Sequence, residues 1–597
     1  MDQNLKLGAI GNCSVAALVG EDATVEWYCW PQYDADPVLS RLINGPREAG
    51  RPGYFGLQIE GMTVSLQKYL DRTPVLVTMQ RNAKGDEIEI IDFCPADAEG
   101  FATPANLEKV IVRLVRKVKG EPRIVATLRP TSGYGAEAPS GKRIADGVLE
   151  YKGKETTIWL QTDAPPDAVT GASGFSLDQP VFFVLGARSA IDSAAKAEAA
   201  MKKTVAFWNA WVSTLTIPKD HADAFIRAAI TLKLCTHRPT GGMVAAFTSS
   251  IPEYNNCKTH HWDYRYSWVR DNYFTLNALL AAGDTDALRV YAPWLRKIMT
   301  YCREKDTHPA AFRIAWTHDA EESIIDTLTG FRGQGTVRVG NEAYKQQQND
   351  FFASVILSLE PFFTDPRFKP QECPVPVDWL ENLAVLAYER YDTADSGLWE
   401  FRTQADIFTY SAINCWSAAH TMAKIFKALG DNEKAELWTG KAKTMREKIL
   451  AQAWHADVES FTNSFRGHNA DASVFLISAL EFLPPGDPML AKTIKFLESK
   501  LRKGIYVFRH DHTADDASRC VTAFTSCTLW MLLAFIDAGR GAEAREVFDA
   551  FLRVRSPQGM FSEHVDSDTA ELWANYPQTY AMAGVVTVAL KLAGLLT

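Results

Sequence analysis

Two glutamates stand in unusually apolar company, far apart along the chain. One lies in Ser396-Gly397-Leu398-Trp399-Glu400-Phe401-Arg402, and the other in Gly559-Met560-Phe561-Ser562-Glu563-His564-Val565-Asp566. A wall of Trp399 and Phe401 would desolvate the Glu400 carboxylate and favour the protonated form that a general acid needs, while a second glutamate on another loop could serve as general base. Within Trp262-Asp263-Tyr264-Arg265-Tyr266-Ser267-Trp268-Val269-Arg270-Asp271, an Arg-Asp pair follows closely spaced aromatic residues. Arg270 and Asp271 offer donors and acceptors side by side, suited to adjacent hydroxyls of one ring, with Trp262 or Trp399 for its C–H face. The competing reading makes Asp271 a helix cap and Arg270 its ion-pair partner.

Other clusters carry less chemistry. His510-Asp511-His512 with Asp515 and Asp516 lacks the fixed spacing of a helical metal motif and reads as a polar loop, so no metal and no cofactor is expected. Gly333-Gln334-Gly335 is too short to cradle a phosphate. Arg338, in Arg338-Val339-Gly340-Asn341, is a candidate binder, and the run Gln346 to Asp350 could line a pocket or simply open a helix.

The elements that must position these residues fall into two textures. Short β-rich runs at 24–30, 54–59, 63–69, 75–80, 87–93, 109–117, 123–129, 156–162 and 181–185 predict an antiparallel β-sandwich over residues 1–190. An Ala/Lys/Glu-rich stretch predicts a joining helix within 191–219. From 220 to 597 come twelve helical candidates: 221–236, 271–282, 284–304, 344–360, 376–392, 409–428, 431–453, 470–482, 487–501, 521–538, 540–553 and 576–595. Twelve helices with long alternate loops and no fixed repeat predict a closed (α/α)6 toroid rather than a solenoid, with the long loops gathered at one end. The fold class is therefore multidomain β plus α.

Composition narrows the ligand. The 597 residues include 63 Lys and Arg against 72 Asp and Glu, a formal charge of −9, which excludes the basic footprint of a nucleic-acid binder. No apolar run reaches the ~20 residues of a membrane span, and the N-terminus does not read as an export signal. Ten cysteines without a C-x-x-C pair read as reduced thiols, so a cytoplasmic location is expected, with assembly into a homo-oligomer left open.

Taken in order along the chain, Gly11-Asn12-Cys13 with 27–34, the Trp262 to Asp271 run, Gly330-Phe331-Arg332-Gly333 with 337–341, Gly397-Leu398-Trp399-Glu400, and Phe561-Ser562-Glu563 through Asn575-Tyr576-Pro577-Gln578 resemble glycoside hydrolase family 15. That family holds glucoamylases, glucodextranases and trehalases. The resemblance implies an inverting exo-acting α-glucosidase that acts on a small α-glucoside and releases β-glucose. It places Glu400 on the general acid, Glu563 on the general base, and Arg270 with Asp271 on the pair that holds the terminal glucose. Trehalose is the first expected substrate and malto- or isomalto-oligosaccharides the second. The chain departs from the family where His564 follows Glu563, a place where a second acidic residue is common, and in 256–261. Two other classes stand against this reading: a catalytically inactive carbohydrate-binding toroid, disfavoured by the presence of both glutamates, and an inverting phosphorylase, which needs phosphate ligands where Glu563 stands.

Overall fold

The computed structural model describes residues 5–46, 49–103, 107–511 and 520–596. His512, Asp515 and Asp516 of the polar cluster lie outside them. The N-terminal part is two antiparallel sheets packed face to face. One contains Leu7–Gly11, Ala16–Gly20, Val25–Cys29, Tyr54–Ile59, Arg123–Arg129 and Phe175–Ser176, with Pro37–Leu39 paired to Val25–Cys29. The other runs in the order Gly141–Ala145, Val148–Lys152, Thr157–Thr162, Val181–Gly186, Val110–Lys119, Glu87–Phe93, Leu76–Asn82 and Met62–Tyr69. The first hairpin was not among the expected strands. Its segments, LGAIG and AALVG, are buried throughout and carry no polar alternation from which a strand could be read.

Between the sheets, Ile10, Val25, Phe55, Ile90, Ile111 and Phe183 form part of one core, crossed by a fully buried ion pair. Arg113 Nε donates to Asp92 Oδ1 at 2.7 Å, and its other nitrogens reach Phe55 O of the opposite sheet at 2.7 Å and Ala23 O in the turn before Val25–Cys29. Asp92→Ala would strand that guanidinium without a counter-charge at a cost of about 3–5 kcal/mol. A thermal melt should register it as a clear drop in the unfolding midpoint, whereas an unchanged midpoint would mean that the backbone carbonyls alone satisfy Arg113.

The outer face of the second sheet is covered by the helix Ala194–Ser213, which buries Ala197 and Met201 against Val75, Val112 and Val184. Ser193 caps it, accepting from Lys196 N.

Beyond it the helices close a double ring. The inner ring packs Val269–Ala281, Asp350–Leu359, Thr409–Leu429, the 3-10 segment Ala472–Ile477, Thr525–Asp537 and Thr579–Leu592 in succession, the last returning against the first. The outer ring alternates with it through Ala222–Cys235, Asp286–Lys305, Val377–Arg390, Asn432–Ala453, Pro488–Leu501 and Gly541–Phe551. The division is written in composition. TSCTLWMLLAFID at Thr525–Asp537 is apolar almost all round and buried, while Asp286–Lys305 keeps a charged outer face.

Two expected helices differ. The one expected over 344–360 breaks into a 3-10 turn, Glu342–Lys345, and a helix, Asp350–Leu359, because Gln346 and Gln348 turn toward a pocket instead of continuing it. The one expected over 470–482 is the 3-10 segment, whose start is fixed by Asp471 accepting from Ser473 N. No helix among the described residues is long and apolar enough to cross a membrane.

Candidate active site

The sequence from His261 to Trp268 is held from behind. Arg265, fully buried, pairs with Asp263 at 2.7 Å and donates to Ala35 O at 2.6 Å, so this loop is riveted to the connection between Val25–Cys29 and Pro37–Leu39 of the first sheet. Its forward-facing residues, Tyr264 and Trp268, then line the pocket at the mouth of the inner ring. The turn that carries Glu400 is closed by Phe401 N donating to Ser396 O at 3.0 Å. Gly397 takes φ +67°, and a Cβ there would lie 2.7 Å from the Phe408 ring, so only glycine fits. Glu400 itself has φ +60°, a strained setting for a residue with a side chain, which aims the carboxylate at the pocket. Glu563 is fixed through its backbone. Its N–H donates to Asn575 O at 3.3 Å and its carbonyl accepts from Thr525 N at 2.8 Å.

Two chambers meet at Glu400. The inner one is walled by Arg270, Asp271, Trp268, Trp530, Tyr580 and Glu563 among others. The outer one is walled by Glu253, Trp262, Asn341, Gln346, Phe401 and Arg402 among others. Tyr264, Trp399, Glu400 and Arg509 belong to both.

The sequence-expected residues separate as follows. Glu400, Glu563, Arg270, Asp271 and Trp399 meet in the inner chamber, and Trp262 lines the outer one. Arg338 lines neither. Its guanidinium sits 5.3 Å from the Trp262 ring and pairs with Glu322, so it braces a tryptophan of the outer chamber from behind. The arginine at the outer chamber is Arg402, whose guanidinium stacks 4.5 Å from the same ring and bonds Glu322 at 2.7 Å. Trp399 is steered by its indole N–H donating to Asp471 at 2.9 Å.

Arg270 is not the ion-pair partner of Asp271 that the competing reading proposed. It donates to Asp350 Oδ2 at 3.0 Å, to Glu400 Oε1 at 3.2 Å and to Gln348 Oε1. Asp271 lies in the first turn of Val269–Ala281 and gives no side-chain cap, and burial lifts its carboxyl to about 7. The expected aromatic neighbours Trp399 and Phe401 do line the chambers with Glu400, but polar donors meet its carboxylate. Trp268 Nε1 at 2.6 Å, Arg270 and Gln348 Nε2 at 3.3 Å converge on Oε1, while Gln346 holds the backbone carbonyl at 3.0 Å. Those donors come from loops remote in sequence, which is why a reading of the residues flanking Glu400 missed them.

Glu563 is the more deeply buried of the two glutamates. It is 4% exposed, and burial together with the neighbouring Glu253 raises its proton affinity well above the ordinary carboxyl range, against the pull of Arg509 and the Tyr264 hydroxyl. Glu253, which the sequence did not single out, is ionised despite burial. Arg509 donates to it at 2.9 Å and Trp262 Nε1 at 2.9 Å, and its carboxyl is held at about 2. Glu253, Glu563 and His564 have ligand atoms close enough to converge on a cation, but the Arg509 guanidinium already supplies the positive charge there. A second such group, His455, Asp457 and His468, lies away from the chambers on the Trp454–Phe461 hairpin and the loop that follows it.

A double ring of helices with two carboxyl groups, Glu400 and Glu563, lining one chamber at its mouth is the arrangement of a glycoside hydrolase. The model of the glycosyl hydrolases family 15 matches residues 219–590, and a trehalase-like N-terminal model matches residues 5–163. The chain belongs to glycoside hydrolase family 15. It is 25% identical over 595 residues to a trehalase of Thermoplasma volcanium, covering 98% of this chain and 93% of that one. It is 26% identical to a trehalase of Mycobacterium tuberculosis, with 97% and 88% covered. A bacterial glucoamylase complexed with acarbose shares the fold over 99% of this chain and 94% of its own, with a TM-score of 0.68 at 15% identity.

Proposed function

We propose that the protein is an inverting trehalase in which Glu400 is the general acid and Glu563 the general base. The observation that carries this is the pair of adjoining chambers with Glu400 in the wall they share and Glu563 only in the inner one. A disaccharide laid across both puts its bridging oxygen at Glu400. The inner ring is then held by Arg270, Asp271 and Trp399, and the second ring lies in the outer chamber beside the stacked Trp262 and Arg402. Water reaches the anomeric carbon from the Glu563 side. Glu400 donates its proton to the departing oxygen as Glu563 takes one from the water. Trehalases aligned over nearly the whole chain support the choice of disaccharide.

A division into a sandwich at 1–190, a joining helix at 191–219 and a catalytic toroid at 220–597 belongs to the same proposal. It is supported by the last long strand, Val181–Gly186, and by the first toroid helix, Ala222–Cys235.

The test is a comparison of trehalose, maltose and isomaltose with the purified protein, in the presence and absence of phosphate. Trehalose should be cleaved fastest and independently of phosphate. Because both its anomeric carbons are α, inversion should give β-glucose from the attacked ring and α-glucose from the leaving ring in equal initial amounts. NMR showing α-glucose alone would mean retention and would overturn the mechanism.

A pH dependence follows from Glu563. A group whose folded proton affinity is raised is lost as a base when pH falls through that raised value. The acid limb of kcat/KM, which reports the free enzyme, should therefore lie above the pH ~4.3 of an ordinary glutamate. A limb at or below that pH would show that the buried carboxyl is not the titrating base.

A further inference from the structure

The residue after the base occupies a position that the catalytic scheme has not used. His564 is buried on the short strand His564–Val565, with Phe524 edge-on at 5.1 Å. Its tautomer is fixed by one hydroxyl. Thr522 Oγ1 has a single hydrogen, which it donates to the carbonyl of Glu253 at 2.9 Å. Toward His564 Nδ1, also 2.9 Å away, it can only accept, so Nδ1 carries the ring proton. In the neutral ring Nε2 is then a bare lone pair. It has no hydrogen-bond partner among the described residues, and it faces Glu563 Oε2 at 3.5 Å and Glu253 Oε2 at 3.7 Å.

This arrangement bears on a difficulty in the base. Around the inner chamber the carboxylates of Asp271, Asp350, Glu253, Glu400 and Glu563 outnumber the guanidiniums of Arg270 and Arg509. Burial and this excess of negative charge favour the protonated form of Glu563, and burial draws the affinity of His564 down to about 3. A protonated Glu563 cannot activate water. Among the neighbours of Glu563, Glu253 is held ionised by Arg509 and Trp262, Tyr264 and Arg509 are donors, and Asp271 acts through its charge, whereas His564 Nε2 directly faces the Glu563 carboxyl. His260 and Cys527 also face the cluster, His260 acting on Glu253 and His564 and Cys527 lying near Glu563 and Arg509.

We propose that His564 is the positioning residue that receives the proton of Glu563 when substrate and water fill the inner chamber, leaving Glu563 ionised as the base. The inference rests on the reading of Glu563 given above. The Glu563 Oε2–H bond breaks and an Nε2–H bond forms, with no change in net charge. The new imidazolium is flanked by two carboxylate oxygens, which stabilise it. Water lodged at Glu563 donates to the anion and then yields a proton to it as its oxygen bonds to the anomeric carbon. The glycosidic bond breaks with its electron pair on the leaving oxygen, which takes the proton of Glu400. Release of products lets the imidazolium proton return through solvent to Glu400, restoring the resting state.

The test is the acid limb of the kcat profile on trehalose in His564→Leu and His564→Gln, with Glu563→Gln alongside. Removing a cation 3.5 Å from the base should move that limb to higher pH by about one to three units in the leucine variant. The shift should be smaller in the glutamine variant, whose amide can donate to Glu563 but cannot take up its proton. A structural role alone would lower kcat or the melting temperature and leave the limb in place, and an unmoved limb in either folded variant overturns the inference. Should the leucine variant fail to fold, the glutamine variant, closer in shape and polarity, carries the test. Loss of hydrolysis in Glu563→Gln with an unmoved limb in the histidine variants refutes the inference alone, whereas hydrolysis surviving in Glu563→Gln refutes the assignment of the base and the inference with it.

Discussion

Glu563→Gln should lose about 10²- to 10⁴-fold in kcat on trehalose and on α-glucosyl fluoride alike, because water must be deprotonated whatever the leaving group. Glu400→Gln should lose a similar factor on trehalose but recover most of it on the fluoride, which departs with little acid help. Steady-state rates on the two substrates check both. A reversed pattern would exchange the roles, and two fully active variants would remove the site from these chambers altogether. The structure sharpens this comparison. Gln348, Trp268 and Arg270 all donate to Glu400 Oε1, so a glutamine there turns its oxygen to them and keeps the turn intact. The loss then reports chemistry and not misfolding.

The second large effect is expected at Arg270. Its guanidinium is buried and joins Asp350, Gln348 and Glu400 into one network. Arg270→Ala leaves Asp350 without its cation, a break worth about 3–5 kcal/mol, and releases Glu400 from one of its three donors. If most of that appears in the transition state, kcat/KM falls by about two to three orders of magnitude. Arg270→Lys should recover little, since a single ammonium cannot serve Gln348, Asp350 and Glu400 together. Near-normal kcat/KM in the lysine variant would show that charge alone suffices. Asp271→Asn tests the other half of the pair: a carboxyl lifted to about 7 is part protonated near neutrality, so the amide should cost less than the arginine change.

How much of this was legible before the structure follows from where the information lay. The alternation of helices and long loops is local, and the inner and outer rings follow it closely. Glu400 and Glu563 were marked by their neighbours in sequence. Their electrostatic settings were not, because a carboxyl group responds to donors delivered by distant loops. Gln348, more than fifty residues before Glu400, and Trp268, more than one hundred and thirty before it, supply the hydrogen bonds that the adjacent Trp399 and Phe401 had been expected to exclude. Glu253 was passed over because nothing around Ile251-Pro252-Glu253-Tyr254 distinguishes it from a surface acid; only the approach of Arg509 and Trp262 does. For Arg338 the difficulty is the converse, since an arginine near aromatic sequence reads equally well as a binder or as a brace.

The loop from His261 to Trp268 ties the two halves of the chain to one fate. Its Arg265 ends on Ala35 O, Trp27 reaches across to Phe247 O at 2.7 Å, and Tyr576, from the segment after Glu563, donates to Leu7 O at 2.8 Å. The sheets are thus the back wall against which the catalytic loops are clamped. Warming that loosens this wall would slacken the grip on Tyr264 and Glu563 while the helices of the toroid are still wound, so heat inactivation would run ahead of the loss of helical signal.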